Sequence, residues 1–290
     1  IVPEEIFSSI LEHDISHFGG APIVLSMLLN SPAAKDFSCQ HTVQLMTAGA
    51  PPPASILQGI EKLGFNVTQV YGLTETYGHT VMCTWNSDWD SLDEEARAKL
   101  KARQGAAMVQ TAGMRIVDME SREDVPADGQ TIGEILIRGN TVMKGYLKDV
   151  ENTAASLTNG WFHTGDLAVM HPKGYAEIKD RLKDIIISGG ENISSVEIEG
   201  VLHRHEAVAL AAVVALPDEK WGEVPCAFLE LLEGAQVTEK EIEVFCRTHL
   251  AGFKRPKKVI FGELPKTATG KIQKYELRIL ARSGRLNRTT

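Results

Sequence analysis

Between residues 42 and 70 the chain reads as strand, helix and strand in close succession. Thr42-Val-Gln-Leu-Met46 is a short apolar run of strand character, and Ala48-Gly-Ala-Pro51 is the turn that leaves it. Ile56, Ile60 and Leu63 then mark one face of a helix, and Phe65-Asn-Val-Thr-Gln-Val70 supplies a second, β-branched strand. That order implies a parallel sheet covered by helices, because parallel neighbours need a crossover between them. Upstream, Pro3 suits a first helical position, and Ile6, Ile10 and Leu11 keep helical spacing. The expected class for this part is therefore α/β.

The pattern changes twice further on. Asp88–Arg103 reads as a charged surface helix, with Ser91 and Glu94 as a capping box and Glu95 and Lys99 as an i,i+4 pair. From Gly113 to Ile178 short β runs dominate, among them Ile132-Gly-Glu-Ile-Leu-Ile137 and Leu167-Ala-Val-Met170, which suggests a small barrel-like β subdomain over about 110–180. After Asp180 come strand Ile185–Ile187, helix Val196–Leu202, strands Val208–Leu216 and Ala227–Leu232, helix Thr238–Leu250 and strand Val259–Phe261. The expectation is a larger unit over 1–180 and a compact α+β unit over 181–290. The charged bridge Asp180-Arg-Leu-Lys-Asp184 joins them.

A net charge of -8 argues against nucleic acid as the main partner, since phosphate backbones need clustered Lys and Arg. Lys254, Arg255, Lys257 and Lys258 are a local exception, readable as a solvated face or as a seat for a phosphorylated ligand. Cys39, Cys83, Cys226 and Cys246 are scattered without a CxxC pair, which suits free thiols in a reducing, cytoplasmic compartment. His163, His203 and His205 lack companions at metal spacing, so structural roles are expected for them. No apolar run reaches membrane-spanning length, and no signal peptide or C-terminal peroxisomal tripeptide is present. The chain starts at Ile1 within a helical pattern, as part of something longer would.

Five stretches carry chemistry. Thr47-Ala-Gly-Ala-Pro51 is a small-residue turn on which a flat base could lie, or simply a strand-to-helix turn. Tyr71-Gly-Leu-Thr-Glu-Thr76 combines a ring, hydroxyls and one carboxylate just past the expected strand, where open α/β sheets bind ligands. It could stack a base, bond phosphate and hold Mg²⁺, or be a loop with a packed Tyr and a solvated Glu. Gly160-Trp-Phe-His-Thr-Gly-Asp166 ends in an acid able to accept two ribose hydroxyls, or to cap a turn. Asp180–Asn192 contains Ser188-Gly189-Gly190, where a narrow chain could pass or the backbone turn tightly. Pro265-Lys-Thr-Ala-Thr-Gly-Lys271 is not a Walker A loop, having Pro265 and Ile272 where Gly and Ser/Thr are required.

In this order and spacing the five stretches resemble the adenylate-forming superfamily of acyl-CoA synthetases, luciferases and peptide-synthetase adenylation domains. Trp89–Gln104 and Gly139–Tyr146 look most like bacterial medium-chain acyl-CoA ligases, including 3-methylmercaptopropionyl-CoA ligases. The resemblance implies attack of a carboxylate on the α-phosphate of ATP, then displacement of AMP by coenzyme A. It implies that Ala48, Gly49 and Ala50 line adenine with Tyr71 and Gly72, that Thr74 bonds phosphate, and that Glu75 holds Mg²⁺. Asp166, with Arg181 beside it, would take the ribose. Lys271 would reach the α-phosphate, Lys183 would be the pivot of a mobile C-terminal domain, and Ser188, Gly189 and Gly190 would flank the pantetheine. His17, Gly19, Gly72 and His79 would border the acyl pocket.

The superfamily's Ser/Thr/Gly-rich phosphate loop is absent from these residues, so the chain is expected to lack an N-terminal part and to adenylate poorly alone. The partners implied are a carboxylic acid, short- to medium-chain, with ATP and coenzyme A; a homodimer is allowed. The alternatives are an adenylation domain loading a carrier protein and a non-catalytic nucleotide- or acyl-binding remnant.

Overall fold

The computed structural model describes residues 1–50, 52–267 and 271–283, so Pro51 and residues 268–270 of two of these stretches lie outside it. The chain divides into two compact units, Ile1–Lys179 and Asp180–Thr290.

The first unit opens with α1 (Pro3–Glu12), β1 (His17–Gly20), α2 (Pro22–Asn30), β2 (Val43–Thr47), α3 (Ala54–Lys62) and β3 (Phe65–Leu73). β1, β2 and β3 pair in parallel, with Gly20 opposite Thr47 and Thr47 opposite Gln69. Alternation explains the burial: Val43, Leu45, Phe65 and Val67 go under the helices, where they meet Phe7, Ile10, Leu57 and Ile60. Phe37 stacks on Phe65 at 5.5 Å. Each such side chain contributes about 1.5–3 kcal/mol by leaving water. Phe7, not Leu11, completes the inner face of α1; Leu11 is half exposed.

β3 changes partner along its length. Phe65–Gln69 follow β2, and Val70–Leu73 run antiparallel to β4 (Gly78–Met82), which pairs with β5 (Ala106–Ala107). Tyr71, Gly72 and Leu73 therefore belong to the strand itself and do not follow it. The charged helix is shorter than expected: α4 spans Glu94–Lys101, and its N-cap is Asp93, whose carboxylate accepts the Ala96 N–H at 2.7 Å. Ser91 takes no part because Ser87–Trp89 forms a separate 3₁₀ turn. The Glu95–Lys99 pair forms as expected, at 2.7 Å.

The β-rich stretch is an antiparallel sheet ordered β10-β9-β7-β6, with β8 on β9. Its elements are β6 (Thr111–Val117), β7 (Ile132–Gly139), α5 (Val150–Ser156), β8 (Leu157–Thr158), β9 (Trp161–His171) and β10 (Tyr175–Arg181). Val81 of β4 packs with Ile116, Ile135, Ile137 and Ala168 in its core.

On this sheet Glu177 lies 2.6 Å from His171 Nε2 and also pairs with Lys179. Burial works to raise its carboxyl, but His171 and Lys179 outweigh it and hold the pKa down to about 2 from an ordinary 4.5. Lowered on folding, this group contributes stability above pH 4.5 that is lost as pH falls toward 2. With partial solvent screening, Glu177→Gln is expected to cost ~1–2 kcal/mol at neutral pH, and less than half of that at about pH 3. Urea midpoints at both pH values check this; an equal loss at each would contradict it.

The second unit comprises β11 (Ile186–Ser188), β12 (Glu191–Ile193), α6 (Ser195–Leu202), β13 (Val208–Asp218), β14 (Gly222–Leu231), α7 (Glu239–His249), β15 (Lys258–Phe261) and α8 (Lys274–Arg282). Its sheet is ordered β12-β11-β14-β13, with β15 parallel to β14. Ile186, Ile198, Leu202, Val213, Leu229 and Ile242 form the core. Thr238 and Glu241 form a reciprocal capping box at the start of α7.

Candidate active site

Parallel pairing sends three strand ends to one edge of the first sheet. Because Gly20, Thr47 and Gln69 are in register, Gly19–Gly20, Ala48–Ala50 and Tyr71–Glu75 emerge side by side at the carboxyl edge. Gly49 has φ +94° and no heavy atom within 4 Å of where a Cβ would stand, so its backbone face is open to a flat ring. His17 does not share this edge. It pairs with Gln44 at the other end of β1, about 10 Å away at strand rise, and its ring bonds Ser16 Oγ at 2.9 Å.

Gly72 has a different job from the one its smallness suggests. A Cβ there would stand 1.9 Å from the Gly78 carbonyl oxygen, so β4 itself requires the glycine. His79 is its partner in that ladder and is exposed.

Tyr71 and Asp166 are brought together from 95 residues apart: the phenol donates to Asp166 Oδ2 at 2.8 Å. The Tyr71 ring packs against the β core, and Asp166 is 4% exposed. A kink sets Asp166 in mid-strand, with Gly165 at φ +68°. The kink is pinned by Glu134, whose carboxylate accepts from Gly165 N–H at 3.1 Å and meets His163 Nδ1 at 2.9 Å. Arg122 donates to the same carboxylate at 3.3 Å. Glu134 is absent from the residues singled out in the sequence, although an acid inside an apolar strand signals a buried partner.

Thr74–Thr76 form a 3₁₀ turn. Thr76, buried, accepts the Leu73 N–H at 2.9 Å and donates to the Gly78 carbonyl at 2.7 Å, while Thr74 stays exposed. Glu75 is gripped by the 139–146 segment: its carbonyl accepts from Met143 N–H at 2.8 Å, and its carboxylate from the Tyr146 phenol at 3.1 Å. Burial first, and then the Glu75 carboxylate, raise the Tyr146 hydroxyl above its ordinary pKa. One oriented carboxylate fits Mg²⁺, which takes one or two protein carboxylates and draws its other ligands from phosphates and water.

Arg181, Lys183, Ser188–Gly190 and Lys271 belong to the second unit. Arg181 ends β10 and donates its N–H to Asp180 at 2.8 Å. Lys183 is exposed in a turn closed by Asp184 and Ile185 N–H on the Arg181 carbonyl. Gly189 and Gly190, at φ +59° and +88°, are the two-residue turn between β11 and β12. A Cβ on Gly189 would meet the Trp221 ring at 2.8 Å, whereas Gly190 faces open space. Lys271, exposed, is held by its backbone on Thr267 at 2.8 and 3.1 Å.

Of the basic cluster, Lys254 pairs with Glu197 at 2.7 Å, and Arg255 caps the Leu250 carbonyl at 3.0 Å, so both have structural work. The His203 ring bonds the Glu199 carbonyl at 2.8 Å and accepts Ala211 N–H at 3.3 Å, a structural role as expected. Burial lowers its pKa. The four cysteines are free thiols. Among the described residues no helix is long and apolar enough to cross a membrane.

Over 283 residues the chain is 53% identical to 2-methylpropanoate–CoA ligase CCL4 of Humulus lupulus, covering 96% of this chain and 50% of that protein. It is 49% identical to acetate–CoA ligase CCL3 of Humulus lupulus, covering 97% of this chain and 51% of that one. The chain thus spans about half the length of these curated relatives. Among solved structures, ATP-bound MatB from Rhodopseudomonas palustris superposes with a TM-score of 0.82 at 30% identity, covering 96% of this chain and 53% of that one. The family model "AMP-binding enzyme" matches residues 2–147, half of the chain, and "AMP-binding enzyme C-terminal domain" matches 197–271. The chain belongs to the AMP-binding enzyme family.

Proposed function

We propose that the full-length protein is an AMP-forming acyl-CoA ligase that activates a short- to medium-chain carboxylic acid. The observation that carries this reading is the joining of Tyr71, Asp166, Glu75 and Tyr146 around the carboxyl edge of the family's sheet. The relatives named as acetate and 2-methylpropanoate ligases support a small, partly branched acid and free coenzyme A as acceptor.

In this reading Ala48–Ala50 and the Tyr71 ring flank the adenine, and Asp166 accepts the ribose hydroxyls, sharing its carboxylate with the Tyr71 phenol. Thr74 bonds phosphate. Glu75 would hold Mg²⁺, which when bound offsets charge on the leaving pyrophosphate. Lys271 places an ammonium where charge grows on the α-phosphate, stabilising the transition state more than the ground state. Ser188, Gly189 and Gly190 serve the coenzyme A half-reaction, with Arg181 on the ribose side and Lys183 as pivot. Gly19 and His79 border the acyl group. Free thiols, three of the four buried, support a reducing compartment such as the cytoplasm.

Acid-dependent ATP–pyrophosphate exchange and thioester formation by the full-length protein test the proposal. Acetate and 2-methylpropanoate are expected to support both. Absence of exchange across short, medium, branched and aromatic acids would overturn it. Tyr146→Phe removes a hydrogen bond to a charged carboxylate, worth about 1.5 kcal/mol. It is expected to raise the Mg²⁺ concentration for half-maximal exchange about tenfold; an unchanged Mg²⁺ titration would contradict the role given to Glu75.

A further inference from the structure

Lys274 is an unusual first residue for a helix. A cation at a helix N-terminus opposes the macrodipole, and no side chain caps α8 from Gln273. Yet Lys274 turns inward: its ammonium pairs with Glu199 at 2.7 Å and donates to Ser195 Oγ at 2.7 Å, with its side chain 18% exposed. Ser195 in turn donates to Asp180, and Glu199 also accepts the Val213 N–H at 2.7 Å. Burial opposes the charged ammonium, but Glu199 and Asp180 outweigh it and raise its pKa. One turn on, Arg278 pairs with Asp184, so the same helix is tied twice to the unit.

The 266–274 segment, which carries Lys271, is bounded by two such lysines. At its start Lys266 pairs with Glu230 at 2.8 Å, and at its end stands Lys274. Lys266 bridges Ile272, and Gln273 N–H reaches the Pro265 carbonyl at 2.8 Å, which closes the base of the loop. Two residues, Ile272 and Gln273, separate Lys271 from the buried foot.

We infer that Lys274 is a positioning residue for Lys271: its buried pairing with Glu199 and Ser195 fixes the foot of the loop from which Lys271 acts. This rests on the ligase reading above. A misplacement of about 1 Å at a reacting group costs on the order of 10²-fold in rate. In the full-length protein Lys274→Met is expected to lower kcat of pyrophosphate exchange about 30-fold, with KM for ATP within about twofold. Thioester formation from supplied acyl-adenylate, which does not use Lys271, is expected to stay within about threefold. Lys274→Arg, keeping the charge, is expected to restore exchange.

Removing one partner strands a buried carboxylate and can unfold the unit. Lys274→Met combined with Glu199→Gln removes the ion-paired carboxylate together with the ammonium, leaves Asp180 on its hydrogen bonds from Arg181 N–H and Ser195, and is expected to keep the exchange defect in a folded protein. Amide hydrogen exchange gives a readout independent of the reaction: peptides over 271–283 are expected to exchange about tenfold faster in the double variant, with those over 208–231 unchanged. Equal loss of both half-reactions in the double variant, or unaltered amide exchange over 271–283, would overturn the inference. A wild-type protein lacking both half-reactions would retire the ligase reading, and the amide exchange would then decide the role of Lys274 by itself.

Discussion

Lys271→Ala in the full-length protein is expected to reduce acid-dependent pyrophosphate exchange by about 10²–10³-fold, the range seen when one preorganised electrostatic contact to a transition state is removed. Thioester formation from supplied acyl-adenylate should persist within a few-fold. Lys271 is exposed and its backbone is held on Thr267, so the melting temperature is read on the same variant. That combination separates chemistry from folding. Equal loss in both half-reactions would place Lys271 outside the adenylation step. A falling melting temperature would make its role structural.

Gly72→Ala should fail for the opposite reason. The added methyl would stand 1.9 Å from a backbone oxygen of Gly78, and neither strand can yield without breaking the β3–β4 ladder. The expected loss is about 3–5 kcal/mol, at the upper end for single substitutions, and on the order of 10 °C in melting temperature. Activity would fall with stability and not ahead of it. A stable Gly72→Ala protein with normal melting and an altered acid preference would return Gly72 to the acyl pocket.

Gly72 also shows where reading the sequence stops. The periodicity of residues 42–70 was enough to imply parallel strands under helices, because burial alternates with backbone geometry and both are local. The small size of Gly72 was legible, but its cause, the backbone of β4, is a contact made only in the fold. The same holds for Tyr71 and Asp166: each suggested a nucleotide site, but their bond spans 95 residues and follows from how two sheets meet. Tyr146 and Glu134 were passed over: a lone phenol carries no spacing signal, and an acid inside an apolar strand signals a buried partner without saying which one. The length of α4 was misread for a simpler reason: charge continues through 88–103, but the hydrogen bonds stop and restart between the 3₁₀ turn and Asp93.

The partner switch within β3 has a consequence for recombination. Its first five residues are indexed by β2 and its last four by β4, so one nine-residue segment must satisfy two independent registers. An insertion or deletion of one residue between 65 and 70 would turn the Tyr71 ring to the opposite face and carry Glu75 off Tyr146. Chimaeras between members of this family should therefore tolerate junctions in the 83–93 connection and fail at junctions that change length inside β3 or β4. The carboxyl edge of the first sheet is inherited as a block.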